Sequence, residues 1–242
     1  MGLDSRLDTL RDPVIEVQTG GLSFLVRARS SDEKAIREVV ERRGYFRKDF
    51  ACGSGSWIDL GANIGAFSCL AARMGCHVDA YEPDPSSFLL LTENVKRNGF
   101  GTVVRCYQTA VTVSTTNRLP FYVNSARRNY WRNSAIKRWR GGHVTSVNAV
   151  HVDSVLPAGV DVDVKMDIEG SEMPVLEALT QKPGKRLVFE WSFDMDPSIP
   201  RFAAVIRKLH GWYGTVRYAK FDETLDTWPK SWFPPCKMVW CW

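Results

Sequence analysis

The sequence has no Cys-x-x-Cys pair, and its six cysteines show no tight metal-ligand spacing. That excludes zinc-ribbon and thioredoxin-like readings and fits reduced thiols in a cytosolic protein. Cys236 and Cys241 are near neighbours, but positions along one extended strand do not bring two sulfurs together, so no disulfide is expected there. No apolar run approaches membrane-spanning length. Met1–Arg11 is charged and lacks the apolar core of a signal peptide, so the expected location is cytoplasmic. Internal repeats and low-complexity stretches are missing, which excludes solenoids and compositionally biased linkers. Charge of one sign is scarce: 32 Lys and Arg stand against 27 Asp and Glu, a net charge of +5. So mild a balance permits an anionic partner without requiring one. What is there is 242 residues, 44% hydrophobic, enough for one domain with an ordinary core and a decorated edge.

The Gly-x-Gly-x-x-Gly fingerprint of dinucleotide sites is also missing. In its place stands Trp57-Ile58-Asp59-Leu60-Gly61-Ala62-Asn63-Ile64-Gly65, an apolar run, a small-residue loop and an amphipathic stretch. About twenty residues on, a second apolar run ends in Tyr81-Glu82-Pro83-Asp84, and that strand–loop–helix–strand–acid order is how a doubly wound sheet holds an adenosine nucleotide. The loop is small so that backbone can approach the ligand, and Glu82 is the expected partner of the ribose hydroxyls. Asp59 is expected at the mouth of the site, where it repels a pyrophosphate and suits a cation. S-adenosylmethionine (SAM) carries a sulfonium and an ammonium and no phosphate, so the pattern reads as a SAM site, with S-adenosylhomocysteine as the product.

The rest of the chain alternates strands and helices. Val14–Gln18 and Leu22–Val26 flank Gly20-Gly21 as a hairpin, and Ser30-Ser31-Asp32-Glu33 fits a capping box opening a helix to about Arg43. Core strands are expected at 57–60, 77–81, 102–107 (extended or bulged through Val113), 161–168 and 186–192. Helices are expected at about 65–74, 86–97, 171–179 and 202–209. Leu119–Val123 and Val144–Val152 read as strands, and Thr215–Phe221 and Lys237–Cys241 as an antiparallel finish. The fold class is α/β, a doubly wound, mostly parallel sheet with helices on both faces, an antiparallel C-terminal strand and an N-terminal hairpin-and-helix extension. The extension is assigned to residues 1–56 and the main domain to 57–242, with a basic, aromatic flap at about 124–143. Asp59, Glu82, Ala110, Asp167 and Glu190 fall at strand ends and are expected to share one rim.

Lys165-Met166-Asp167-Ile168-Glu169-Gly170-Ser171-Glu172 is a second strong element, a strand ending in carboxylates before a helix opening. Asp167, at the mouth of a central strand, is costly without a ligand. Together with Asp59–Gly65, and Tyr81-Glu82-Pro83 with Phe88 and Asn94 downstream, it resembles the FkbM family of SAM-dependent methyltransferases over about Ser56 to Trp191. Val152-Asp153-Ser154-Val155-Leu156 resembles that family's short Asp-containing element. The resemblance implies a class I, Rossmann-like methyltransferase fold and methylation of a hydroxyl oxygen on a sugar, polyketide or related molecule. It also implies that Asp59, Gly61, Ala62, Asn63, Gly65, Glu82, Pro83, Ala110 and Asp167 shape the cofactor site.

A weakly acidic hydroxyl needs a general base or a metal. Asp167, Glu190 and His143 are the candidate catalytic residues. Lys165 is a further base that either faces away from the site or lies too deep. Asp167 and Glu190 on neighbouring strand ends suit either a divalent cation such as Mg or Mn, or direct hydrogen bonds to hydroxyls. The acid-free run Arg127-Arg128-Asn129-Tyr130-Trp131-Arg132-Asn133-Ser134 suits stacking and phosphate contacts. Arg127, Arg128, Trp131, Asn133 and Glu169 are the expected substrate contacts, and Trp228, Trp232, Trp240 and Trp242 read as edge packing or a sugar platform. No Asp-Pro-Pro-Tyr-like element marks adenine methylation, and Pro235-Cys236 lies in the tail, too late for a cytosine nucleophile. Three readings result: O-methylation of a glycan sugar or similar small molecule, RNA ribose 2′-O-methylation, and a non-catalytic SAM-binding domain.

Overall fold

The computed structural model describes residues 5–50, 55–124, 126, 130, 132–137, 140–156, 159, 161–218 and 236–242. Near the N-terminus, β1 (Val14–Thr19) and β2 (Leu22–Arg27) pair as an antiparallel hairpin around Gly20-Gly21. The hairpin docks through one asparagine of a later helix and another at that helix's C-terminal cap. Asn94 Oδ1 accepts from the Leu25 amide at 2.6 Å while its Nδ2 donates to the Leu25 and Ile64 carbonyls, and Asn98 brackets Ser23 in the same way.

The expected long helix at 32–43 is instead a short α1 (Asp32–Ile36) that widens into a π turn, Arg37–Glu41. Packing sets the local register, since Ile36, Val39 and Val40 are all buried. The expected capping box forms only in part. Ser31 makes no side-chain cap, Ser30 Oγ accepts from the Asp32 amide, and Asp32 forms a buried ion pair with Arg27 at 2.8 Å.

The main unit follows in order: β3 (Ser56–Leu60), α2 (Ala66–Arg73), β4 (His77–Tyr81), α3 (Pro85–Arg97) and β5 (Val104–Tyr107). The chain then leaves the sheet. β6 (Ala110–Thr112) is not a bulged continuation of β5 as the sequence implied, because a turn in which the Thr109 amide bonds the Tyr107 carbonyl separates them. With β7 (Arg118–Val123) and β8 (His143–His151) it builds a second sheet, ordered β6-β8-β7. After α4 (Val152–Val155) come β9 (Asp163–Met166), α5 (Glu172–Ala178), β10 (Arg186–Ser192), α6 (Ile199–His210), β11 (Val216–Tyr218) and β12 (Cys236–Cys241).

The seven-stranded sheet is ordered β11-β12-β10-β9-β3-β4-β5. β12 runs antiparallel to both of its neighbours, and the links β10-β9-β3-β4-β5 are parallel. One apolar core joins α2, α3 and the hairpin on one face, and another joins α4, α5 and α6 on the opposite face. Strand order reverses between β3 and β9, so the crevice beyond their carboxyl ends is the expected ligand site. Among the described residues no helix is long and apolar enough to cross a membrane.

Candidate active site

The loop after β3 is fixed by backbone. The amides of Gly61 and Ala62 both donate to the Tyr81 carbonyl, at 3.0 and 2.9 Å. Gly61 has φ +77°, and a Cβ there would lie 1.7 Å from the Asp167 carbonyl oxygen. The β3 and β9 exits therefore cross at a distance only glycine permits. Gly65 does not line the cavity. With φ +88° it turns the chain into α2 against Leu91.

Glu82 leaves the end of β4 and gathers the loop amides. Its Oε2 accepts from Asn63 N and its Oε1 from Asp84 N, both at 2.8 Å. Burial, reinforced by Asp84, pushes its carboxyl up to about 8. A carboxylate has about four lone-pair sites, so two remain for hydroxyls. Asn63 Oδ1 is a buried acceptor without a hydrogen-bond partner on the same wall. Pro83 and Ala110 complete this side of a cavity of about 380 Å³.

Asp59 corrects the sequence reading, because it does not sit at the mouth. It is fully buried beneath the loop, with Oδ1 3.0 Å from Lys165 Nζ and Oδ2 accepting from Ser68 Oγ at 2.6 Å. Asp59 and Lys165 are direct partners across the parallel β3–β9 pair, so their side chains share a face. Lys165 therefore does not face away from the site. It lines the cavity floor and donates to the Gly61 carbonyl at 2.7 Å. Burial alone would lower its basicity, but Asp59 and Asp167 outweigh that and hold it above the usual lysine range. A cation so held is no base.

Asp167, Glu169 and Glu190 line the opposite wall of the same cavity. Asp167 Oδ2 accepts from the Tyr45 hydroxyl at 2.5 Å. Burial, with Asp167, Glu190 and Glu172 adding to it, pushes the Glu169 carboxyl well above the ordinary range. Glu172 opens the first turn of α5. It is buried, its carboxylate accepts from the Ile168 and Gly170 amides at 2.8 and 2.9 Å, and burial followed by Asp167 raises it to about 8. Among the described residues no group of three or more His, Cys, Asp and Glu side chains is arranged to hold a metal ion. The expected pairing of Asp167 and Glu190 on a divalent cation thus gains no support.

Three of the expected substrate contacts, Arg127, Arg128 and Trp131, lie outside the described residues. Asn133 lines the cavity, and its Oδ1 accepts from the Asn124 amide at 2.8 Å. His143 does not join the site. It is exposed at the start of β8, paired with Val123 of β7, and absent from the cavity wall. Trp240 is buried, and Trp242 packs edge-on against Phe50, so both are edge packing; Trp228 and Trp232 lie outside the described residues. Sequence reasoning missed Tyr45, which lines the cavity from a loop without any motif, and did not single out Tyr130 within the aromatic flap, which also lines it. The Tyr130 hydroxyl bonds Asp12, and its ring lies 4.4 Å from the Arg27 guanidinium, tying the flap to the N-terminal segment.

A reversed parallel sheet with its last strand inserted antiparallel, and an acid-lined cavity at the switch point, define a class I SAM-dependent methyltransferase. The chain belongs to the FkbM methyltransferase family, whose domain model matches residues 59–218. No curated protein matches the sequence. Among solved structures, the candidate transferase PH0793 of Pyrococcus horikoshii superposes with a TM-score of 0.51 at 16% identity, over 95% of this chain and 71% of that one. The tRNA (uracil-54, C5)-methyltransferase of Pyrococcus abyssi, bound to S-adenosyl-L-homocysteine, gives 0.48 at 12% identity. The match covers 94% of this chain and 43% of the tRNA enzyme, so this chain spans less than half of that protein. TYW2 of M. jannaschii, with AdoMet, gives 0.49 at 15% identity over 96% and 86% of the two chains. Likeness at these identities speaks to the fold alone.

Proposed function

We propose that this chain transfers the methyl group of SAM to a hydroxyl oxygen of a sugar or a similarly hydroxylated small molecule. The observation that carries this reading is the acidic wall beside the cofactor loop, where Asp167, Glu169 and Glu190 share one cavity. Carboxyl oxygens accept hydrogen bonds from hydroxyls, and the ionised ones repel phosphates. The opposite wall fits SAM. Glu82 has lone pairs left for the ribose, the orphan Asn63 Oδ1 seeks a donor, and the acidic surroundings suit a sulfonium and an ammonium.

When bound, SAM supplies the electrophilic methyl and departs as S-adenosylhomocysteine. The protein aligns the acceptor and manages its proton. Asp167 and Glu190 orient the hydroxyl, and as its oxygen bonds to the methyl carbon the proton passes to a carboxylate. Lys165, held protonated by Asp59, steadies the loop and takes no proton. The same reading takes 57–242 as the catalytic domain and 1–56 as an extension.

RNA ribose 2′-O-methylation is the second reading, favoured by the basic and aromatic run from Arg127 to Arg140. Labelled methyl from SAM, offered to a mixed glycoside panel and to a structured RNA, each with and without EDTA, separates the two. Label in glycosides that persists in EDTA is the expected result. Label confined to RNase-sensitive material would overturn the reading.

A further inference from the structure

Tyr45 comes from a stretch that precedes the residues matching the FkbM domain, yet its hydroxyl reaches the acidic wall. It is held from several directions. Its carbonyl accepts from Trp240 Nε1 at 3.1 Å, its ring packs edge-on against Phe67 with centroids 5.5 Å apart, and the Lys165 ammonium lies 5.3 Å from the ring centroid. The residue is buried, at 8% exposure. Among the described residues, Tyr45 is the donor to the Asp167 side chain, and it takes Oδ2. The carboxylate still lines the cavity, so its other oxygen is available to an acceptor.

We infer that Tyr45 is a positioning residue: its hydroxyl fixes the rotation of the Asp167 carboxylate so that one oxygen is committed to the protein and the other to the acceptor hydroxyl. The N-terminal extension thereby completes the catalytic wall, and the segment matching the family domain is an incomplete site by itself. A hydrogen bond to an ionised group is short and directional, and carboxylate orientation governs in-line transfer geometry. The inference rests on the reading that Asp167 meets the acceptor.

Tyr45→Phe removes the hydroxyl alone and leaves the ring packing and the Trp240 bond to the backbone. Two measurements on the whole chain test it. With an accepted glycoside, kcat is expected to fall about ten- to a hundredfold while KM for SAM changes less than about twofold, the span of one hydrogen bond to a charged group. An unchanged kcat would overturn the inference. In protein labelled with 13C at tyrosine Cζ, the resonance absent from Y45F identifies Tyr45. It is expected to move in Asp167→Asn, and its staying in place would overturn the inference without recourse to any acceptor. If the wild-type chain methylates no hydroxyl compound, the reading of the reaction falls, and the resonance still judges the Tyr45–Asp167 contact.

Discussion

Replacing Gly61 by alanine puts a methyl group where the two central strands cross. The new Cβ would lie 1.7 Å from the Asp167 carbonyl oxygen, against an ordinary contact of 3.4 Å or more, and the obstacle is backbone on both sides. The left-handed φ of +77° adds about 1–2 kcal/mol for any L side chain. Relief requires the β3 and β9 exits to part, which breaks the 3.0 Å bond from the Asp167 amide to the Leu60 carbonyl. Leaving those buried groups unmade costs about 1–3 kcal/mol more, so the expected loss is about 2–5 kcal/mol. Gly65→Ala is the control. Its φ is +88°, but the one close contact of its Cβ would be the tip of the Leu91 side chain at 2.8 Å, the Leu91 backbone lying at an ordinary 3.6–3.7 Å. That tip can swing away, so about 1–2 kcal/mol is expected from the backbone alone. Urea unfolding of both variants, read as midpoints at constant slope, gives the comparison, and calorimetry gives SAM affinity. Gly61→Ala is expected to be the less stable and to bind SAM poorly. Equal stabilities, or undisturbed SAM binding by Gly61→Ala, would refute the argument that the crossing shapes the site.

Other consequences follow from the same contacts. Asp59→Leu or Lys165→Met leaves one buried charge alone and should each lose about 3–5 kcal/mol, whereas the double substitution should recover most of that, as a double-mutant cycle would read. Glu82 and Glu172 are both raised to about 8 by burial, so the folded state binds more protons than the unfolded chain between roughly pH 4.5 and 8. Their contribution is complete at acidic pH and is lost as pH rises through about 8. Melting temperature should therefore fall across that window, with a shallower slope in Glu172→Gln; a slope unchanged by the substitution would contradict it. Asn94→Ala removes three hydrogen bonds between the hairpin, α3 and the Ile64 carbonyl and should lose about 2–4 kcal/mol, with faster amide exchange at Leu25.

The order of elements and the main motifs were legible because each is local. A small loop after an apolar run, an acid after the next one, and carboxylates before a helix each occupy a few consecutive residues. Asp59 was misread because its role depends on strand neighbours. Only the register of β3 beside β9, about a hundred residues apart, puts Lys165 across from it and converts a mouth residue into a buried ion pair. Tyr45 carries no local signal, since a tyrosine between a π turn and a loop looks like packing until the fold brings it to Asp167. His143 follows Gly141-Gly142, a pattern that looks like a mobile loop, but the β7–β8 pairing carries it to an exposed strand end. The π turn and the separate β6 were hidden for a related reason, because tertiary packing decides where a helix widens and which sheet a short strand joins.

The most direct test of the account compares wild type with Asp167→Asn for both equilibrium SAM binding and transfer of labelled methyl to glycosides. The account predicts that the variant still binds SAM within a few fold while transfer falls about 10²- to 10⁴-fold, the range for a lost acid–base group, with wild-type label recovered as a base-stable ether. Transfer that survives the substitution, or label appearing only in RNA, would contradict it.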